Sequence, residues 1–172
     1  MQLTQLNKQD YPEYYQTYLD QLPVDTLINT LLSQRDHTIE FLSSITEDDL
    51  NTSYAPGKWT VAQVLQHMLD TERIFQYRAL CIARKDKTSL PGFDQDDYVP
   101  ASQANERNLR GFIEEYITLR DSGISLFKSF SEDMLQETGV SNGAGLTTAA
   151  AGFIIAGHEK HHLNLFKSNY AL

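Results

Sequence analysis

The segment at residues 158–162, His-Glu-Lys-His-His, contains the side chains best suited to chemistry in this chain. His158 and His162 are four residues apart, and on a helix this spacing places both imidazoles on one face, one turn apart. Two imidazoles in that arrangement can bind the same metal ion. The pattern therefore predicts two ligands of a metal site whose other ligands come from elsewhere in the chain.

Two familiar metal-binding motifs match residues 158–162, but each requires further ligands that this sequence lacks. His158-Glu159-x-x-His162 matches the zinc-protease signature, in which the glutamate is the general base. The third ligand of that site usually follows downstream, but residues 163–172 contain no histidine, aspartate, glutamate or cysteine. A di-iron bundle site needs a second Glu-x-x-His pair, and the chain has only the one. The missing ligand must therefore lie upstream.

The spacing of apolar residues predicts the elements that position these side chains. Helical periodicity extends over about residues 24–45, 60–84, 101–130 and from 147 onward, and no convincing strand pattern occurs. Thr60 and Gln63 form a capping-box pattern at the start of the second helix. Residues 88–100 are predicted to form a long ordered loop between helices two and three. We expect an all-α, up-and-down four-helix bundle in one domain, residues 1–172, with residues 1–23 as an extension packed on it.

The predicted helices leave one natural third ligand. His158 and His162 fall within the apolar stripe of helix four, where their burial costs desolvation unless the ring nitrogens find partners. His67 lies on an inward flank of helix two and is the expected third ligand. His161 and His37 lie on outer positions and are weaker alternatives. A purely structural interpretation also stays open, in which the buried histidines only form hydrogen bonds in the core.

Composition excludes several classes of partner. The chain has 172 residues, 41% of them hydrophobic, and a net charge of −9 with scattered Lys and Arg. A nucleic-acid partner is therefore not expected, and neither is an anionic membrane surface. No apolar run approaches the ~20 residues of a membrane span, and the amino terminus lacks a signal-peptide pattern. A cytoplasmic protein is expected, in agreement with its single cysteine.

Over nearly its whole length the sequence resembles the DinB superfamily of four-helix bundles, which includes the YfiT-like metal-dependent hydrolases. Three stretches carry the resemblance: residues 54–61 followed by His67 and by Glu72-Arg73, residues 90–99, and residues 154–163. The resemblance implies a divalent metal held by one histidine on helix two and two on helix four, which here are His67, His158 and His162. Three imidazoles suit zinc or nickel, with manganese or iron as alternatives.

The resemblance also implies a class of chemistry, because family members include transferases that use low-molecular-weight thiols such as bacillithiol and mycothiol. Three neutral imidazoles leave a metal site open, so water or a thiol can lose its proton there near neutral pH. We expect a metal-dependent enzyme, a thiol S-transferase or a hydrolase, acting on a small molecule. The alternative is a non-enzymatic metal-binding or stress-response interaction module. A homodimer is implied by the resemblance alone.

Four further residues are candidates for secondary roles. Glu159 is a possible general base, although a charged residue beside an apolar stripe is commonly solvated. Arg78 follows His67 by three helical turns, or ~16 Å, and could hold an anionic substrate group or form a surface ion pair. Asp94 and Tyr98 could close the site from the loop, or serve as turn and anchor residues.

Overall fold

The computed structural model describes residues 1–172 and contains seven α-helices and one β-hairpin. The helices are α1 (Gln16–Leu19), α2 (Leu27–Ser44), α3 (Val61–Ala83), α4 (Gln95–Ala101), α5 (Leu109–Lys128), α6 (Glu132–Gln136) and α7 (Thr148–Leu165). The strands β1 (Thr138–Ser141) and β2 (Ala144–Thr147) pair antiparallel, with Thr138 opposite Thr147. A π-helical turn, Phe166–Tyr170, follows α7 directly. None of the helices is long and apolar enough to cross a membrane.

The four long helices, α2, α3, α5 and α7, form the predicted bundle. Helix α3 packs against α7 and α5, and α2 packs against α5 and α7. Helices α2 and α3 therefore occupy opposite corners although they are consecutive long helices. An up-and-down bundle keeps consecutive helices adjacent, so that part of the prediction is not confirmed.

Side-chain caps explain where the long helices begin. The Thr60 hydroxyl accepts a hydrogen bond from the Gln63 amide (3.2 Å), and the Thr60 amide donates to the Gln63 side chain (2.9 Å). This capping box confirms the predicted start of α3. The Asn108 side chain accepts from the Gly111 amide at 2.8 Å and starts α5. The third long helix thus begins at Leu109, and the prediction of about residue 101 was wrong.

Residues 88–100, predicted to form a loop, contain part of a helix, and residues 138–147, where no strand was predicted, form a β-hairpin. Helix α4 occupies the second half of residues 88–100, where Asp94 caps it by accepting from the Asp96 amide at 2.9 Å. The β-hairpin turns at Asn142 and Gly143, which have φ angles of 51° and 76°. An Asn-Gly pair with two positive φ angles is the preferred two-residue hairpin turn. The four-residue strands are too short to show an alternating pattern in the sequence.

Buried side chains form two apolar clusters with a polar layer between them. One cluster of 21 residues includes the first half of α7, and the other, of 15 residues, includes the first half of α3. The polar layer takes at least one buried residue from each long helix: Gln34, Thr38, Glu72, Arg120 and Glu159. Because burying such groups costs free energy unless they are paired, this layer is expected to have a specific role.

The amino-terminal segment packs across α7 beside the histidines. Tyr11, Leu19 and Leu22 are buried in the larger apolar cluster. At Gly157 a Cβ atom would lie 2.7 Å from the backbone oxygen of Tyr18, a separation that real Cβ contacts do not show. Glycine at this position therefore allows the segment to approach the helix closely, and the approach sets the position of Tyr18.

Candidate metal centre

His67, His158 and His162 meet inside the bundle, although they come from helices far apart in the sequence. The Nε2 atom of His158 lies 2.9 Å from Nε2 of His67 and 3.0 Å from Nε2 of His162. All three residues are buried, and one potential ligand atom from each falls within 4.8 Å of the others. The structure thus brings together the three residues that the sequence singled out.

Burial keeps these imidazoles neutral. It lowers the pKa of His67 to about 4, with a smaller contribution from His161. It also lowers the pKa values of His158 and His162 well below the ordinary value, and neighbouring histidines add to the effect. Neutral imidazole nitrogens carry the lone pairs that metal ions require.

Hydrogen bonding alone satisfies this cluster poorly. A neutral Nε2 atom is either a donor or an acceptor, so the central Nε2 of His158 cannot donate to both of its neighbours. In addition, Nδ1 of His162 is buried without a hydrogen-bond partner. A divalent ion would accept one lone pair from each ring, and three imidazole nitrogens are a ligand set typical of zinc and other first-row metals. The donor set therefore fits a divalent metal.

The two other histidines lie outside the cluster. His37 is exposed on α2, where its Nδ1 atom lies 2.7 Å from the Ser33 carbonyl oxygen. His161 is half-buried, with its ring centroid 5.0 Å from that of His162. Neither contributes a ligand atom to the three-histidine group.

A cleft of about 570 Å³ opens beside His67 and His158. Three tyrosines of the amino-terminal segment line one wall, and the Tyr18 ring packs edge-on against the His158 ring at 5.5 Å between centroids. The Tyr18 hydroxyl is hydrogen-bonded to that of Tyr14 at 3.0 Å. Cavities of this volume commonly hold small organic molecules. His67 and His158 therefore border a cleft large enough for a small ligand.

Arg78 and Asp94 line this cleft, whereas Tyr98 does not. Arg78 is buried, with 3% of its surface exposed, and forms no ion pair, so the predicted alternative of a surface ion pair is wrong. The Tyr98 ring is 47% exposed and packs on Phe93. Contact of Tyr98 with a substrate stays a prediction that its position does not support.

Glu159 is buried, contrary to the expectation of a solvated side chain, because Arg120 neutralises it. Arg120 is fully buried and donates to Glu159 at 2.7 Å and to Glu72 at 2.8 Å. Burial raises the pKa of Glu159, while Arg120 lowers it in part. Glu159 does not line the cleft, so its predicted role as a general base is untested by this geometry.

Two groups of residues at the site were missed by sequence reasoning. Tyr14, Tyr15 and Tyr18 recur at helical spacing, and this pattern could have indicated an aromatic surface at the edge of the bundle. Arg120 follows Tyr116 by four residues on the buried stripe of α5, so the sequence pattern could have predicted a buried positive charge. Its carboxylate partners come from other helices, and periodicity cannot pair residues across helices.

Comparison with known proteins agrees with this fold. The sequence pattern that defines the DinB superfamily matches residues 30–166. The chain therefore belongs to the DinB superfamily. It is similar to a protein of Oceanobacillus iheyensis named "Putative metal-dependent hydrolase", with 25% identity over 126 residues, or 72% of each chain.

Two solved structures share the fold. YfiT from Bacillus subtilis, described as a probable metal-dependent hydrolase with an unusual four-helix bundle topology, aligns with a TM-score of 0.67. The identity is 14%, and the alignment covers 97% of this chain and 93% of YfiT. A mycothiol-dependent maleylpyruvate isomerase aligns with a TM-score of 0.67 and 12% identity, covering 85% of this chain and 61% of the isomerase.

Proposed function

We propose that this protein is a metal-dependent enzyme that acts on a small molecule, with His67, His158 and His162 as the metal ligands. The observation that carries the proposal is the convergence of three buried imidazoles at the wall of a cleft of about 570 Å³. An interaction module would not need a cavity of that size next to its metal. The cleft therefore favours an enzyme over the non-enzymatic alternative.

A divalent ion bound to three imidazoles supplies open coordination positions, at which water or a thiol loses its proton near neutral pH. The chain keeps the imidazoles neutral by burial, and it shields one side of the centre with the Tyr18 ring. Burial raises the pKa of Tyr18, so its hydroxyl stays protonated and can donate a hydrogen bond into the cleft. These features support hydrolysis or thiol transfer. The sequence relative is named a metal-dependent hydrolase, and one structural neighbour is a mycothiol-dependent isomerase.

The roles of the secondary residues are part of the proposal. Asp94 lines the rim of the cleft and caps α4, so it can position both the helix and a ligand. Glu159 is proposed to act on the reaction only through its neighbours, because Arg120 holds both of its carboxylate oxygens. A Glu159→Gln variant should then change kcat more than KM, since the residue does not line the cleft. Zinc or nickel is the proposed metal.

Metal analysis of the purified protein tests the first step. The wild type should contain about one divalent ion per chain, and His158→Ala should lose it. His37→Ala is the matched control, because His37 is exposed and outside the cluster. A wild-type protein that binds no divalent ion under any loading condition would contradict the proposal.

Turnover assays test the second step. An activated ester in water and an electrophile with a cellular thiol distinguish hydrolysis from thiol transfer. Either activity should disappear in His67→Ala and persist in His37→Ala. A metal-loaded protein that turns over neither class of substrate would favour the interaction module. A homodimer and a cytoplasmic location stay predictions, testable by light scattering and cell fractionation.

A further inference from the structure

Arg78 differs from the other buried arginine of this protein in having no counter-ion. Arg120 is fully buried and contacts two carboxylates, Glu72 and Glu159. Arg78 is 3% exposed, its Nη2 atom donates to the Pro91 carbonyl oxygen at 2.9 Å, and its other polar neighbour is the Tyr15 hydroxyl. A buried charge without an opposite charge is destabilising. Such an arrangement is expected where a ligand supplies the missing anion.

The guanidinium group is held in place by aromatic rings. Its central carbon lies 4.9 Å from the Phe75 ring centroid and 5.9 Å from that of Phe93. These rings contact the face of the group and leave its N–H edges for hydrogen bonds. Burial lowers the pKa of Arg78, and the nearby Tyr15 raises it in part. Because an arginine keeps its proton in proteins, the positive charge persists in the cleft.

The residues of α3 that line the cleft form a path from the histidines to Arg78. His67, Thr71, Phe75 and Arg78 follow one another along this wall. The Thr71 hydroxyl is buried and has no hydrogen-bond partner. His67 and Arg78 are eleven residues apart, or ~16 Å along the helix axis, and helical side chains lean toward the amino terminus. A ligand extended along α3 could therefore reach the metal centre, Thr71 and Arg78 together.

We propose that the substrate or co-substrate of this enzyme carries a carboxylate that Arg78 binds at the end of the cleft away from the histidines. This inference rests on the proposed function, since it assigns the far end of a ligand of the same cleft. A carboxylate matches two parallel N–H groups of a guanidinium. Asp94 and Asp96 line the rim, and their charges disfavour a doubly charged phosphate relative to a monoanion.

The test compares the affinities of 4-phenylbutyrate and 4-phenylbutyramide for the full chain. Both affinities are measured by calorimetry in a buffer that contains a chelator. The wild type should bind the carboxylate at least tenfold more tightly than the amide. Arg78→Met should abolish this preference. Arg84→Met should retain it, because Arg84 also lies over a phenylalanine ring, Phe130 at 5.5 Å, but outside the cleft. Arg78→Lys keeps the positive charge but loses the two parallel N–H groups of the guanidinium. It should show a reduced preference for the carboxylate.

Several outcomes would overturn the inference. One is equal affinity of the wild type for carboxylate and amide, as expected if Asp94 or Asp96 were the counter-ion of Arg78. Another is a full preference in Arg78→Met, and a third is tighter binding of 3-phenylpropyl phosphate. The wild-type comparison is decisive even if Arg78→Met fails to fold. Because the comparison is made in a chelator, its outcome does not depend on bound metal, so failure of the metal proposal and failure of this one are distinguishable.

Discussion

The Nε2 atoms of His67 and His158 lie 2.9 Å apart, although 91 residues separate them in the sequence. The pair is assembled by the packing of α3 on α7, the most extensive helix contact of the bundle. Each ring on its own is a buried polar group that costs free energy. Together with His162, the two residues present three imidazole lone pairs to one point. A cation bound there would stabilise the folded protein.

Metal ions should stabilise the folded protein through this set. A ligand that binds only the folded state at a hundred times its Kd raises the free energy of unfolding by about 2.7 kcal/mol. For a domain of this size, that corresponds to an increase in Tm of about 5–10 °C. Thermal denaturation with zinc or nickel against a chelator measures it. The increase should vanish in His67→Ala and remain in His37→Ala, and an increase of equal size in both variants would contradict the assigned ligands.

Acidification should destabilise the metal-free protein between pH 6.5 and 4. The pKa of His67 is lowered to about 4 in the folded state, whereas an unfolded histidine titrates near 6.5. In this window the unfolded chain binds protons that the folded chain excludes, so the free energy of unfolding falls as the pH falls. The slope is about 1.4 kcal/mol per pH unit for each proton.

Urea denaturation at pH 7, 6 and 5 in a chelator measures this dependence. The slope should be shallower in His67→Gln, which removes one of the groups. Because carboxyl groups contribute equally to both proteins, the difference between slopes isolates His67. Identical slopes in the wild type and His67→Gln would contradict the assignment.

Arg120 should be among the most sensitive positions for stability. Arg120→Met leaves Glu72 and Glu159 buried without a cation, which should cost about 3–5 kcal/mol. Arg110→Met on the same helix is the control, because its ion pair with Glu114 is exposed and should contribute little to stability. Equilibrium unfolding in urea gives both values. A loss below about 1 kcal/mol in Arg120→Met would show that the carboxylates are protonated or solvated instead.

Gly157→Ala should displace the amino-terminal segment from the metal centre. The added methyl group meets the Tyr18 backbone, and overpacking of this kind costs about 1–3 kcal/mol. Gly145→Ala is the control, since nothing lies within 4 Å of the added atom. Urea denaturation measures the cost, and faster proteolysis near Tyr18 would report the displacement. Equal stability of the two variants would show that the segment shifts freely.

The sequence determined the long helices and the three-histidine cluster to a large extent. Apolar periodicity located α2, α3 and α7 within a few residues, because a helix that packs on a core repeats its apolar residues every 3.6 positions. The four-residue spacing of His158 and His162, with no metal-binding side chain downstream, indicated His67 as the third member of the cluster. These inferences succeed because they depend on the geometry of a single helix.

Only the tertiary structure decided how the helices are placed around one another and what surrounds the histidines. The opposite corners occupied by α2 and α3, the pairing of Arg120 with Glu72 and Glu159, and the tyrosine wall all depend on contacts between distant segments. Arg78 and Arg120 look alike in the sequence, since both lie within amphipathic helices. One is neutralised and the other is not, because only the fold determines which side chains from other helices reach each guanidinium.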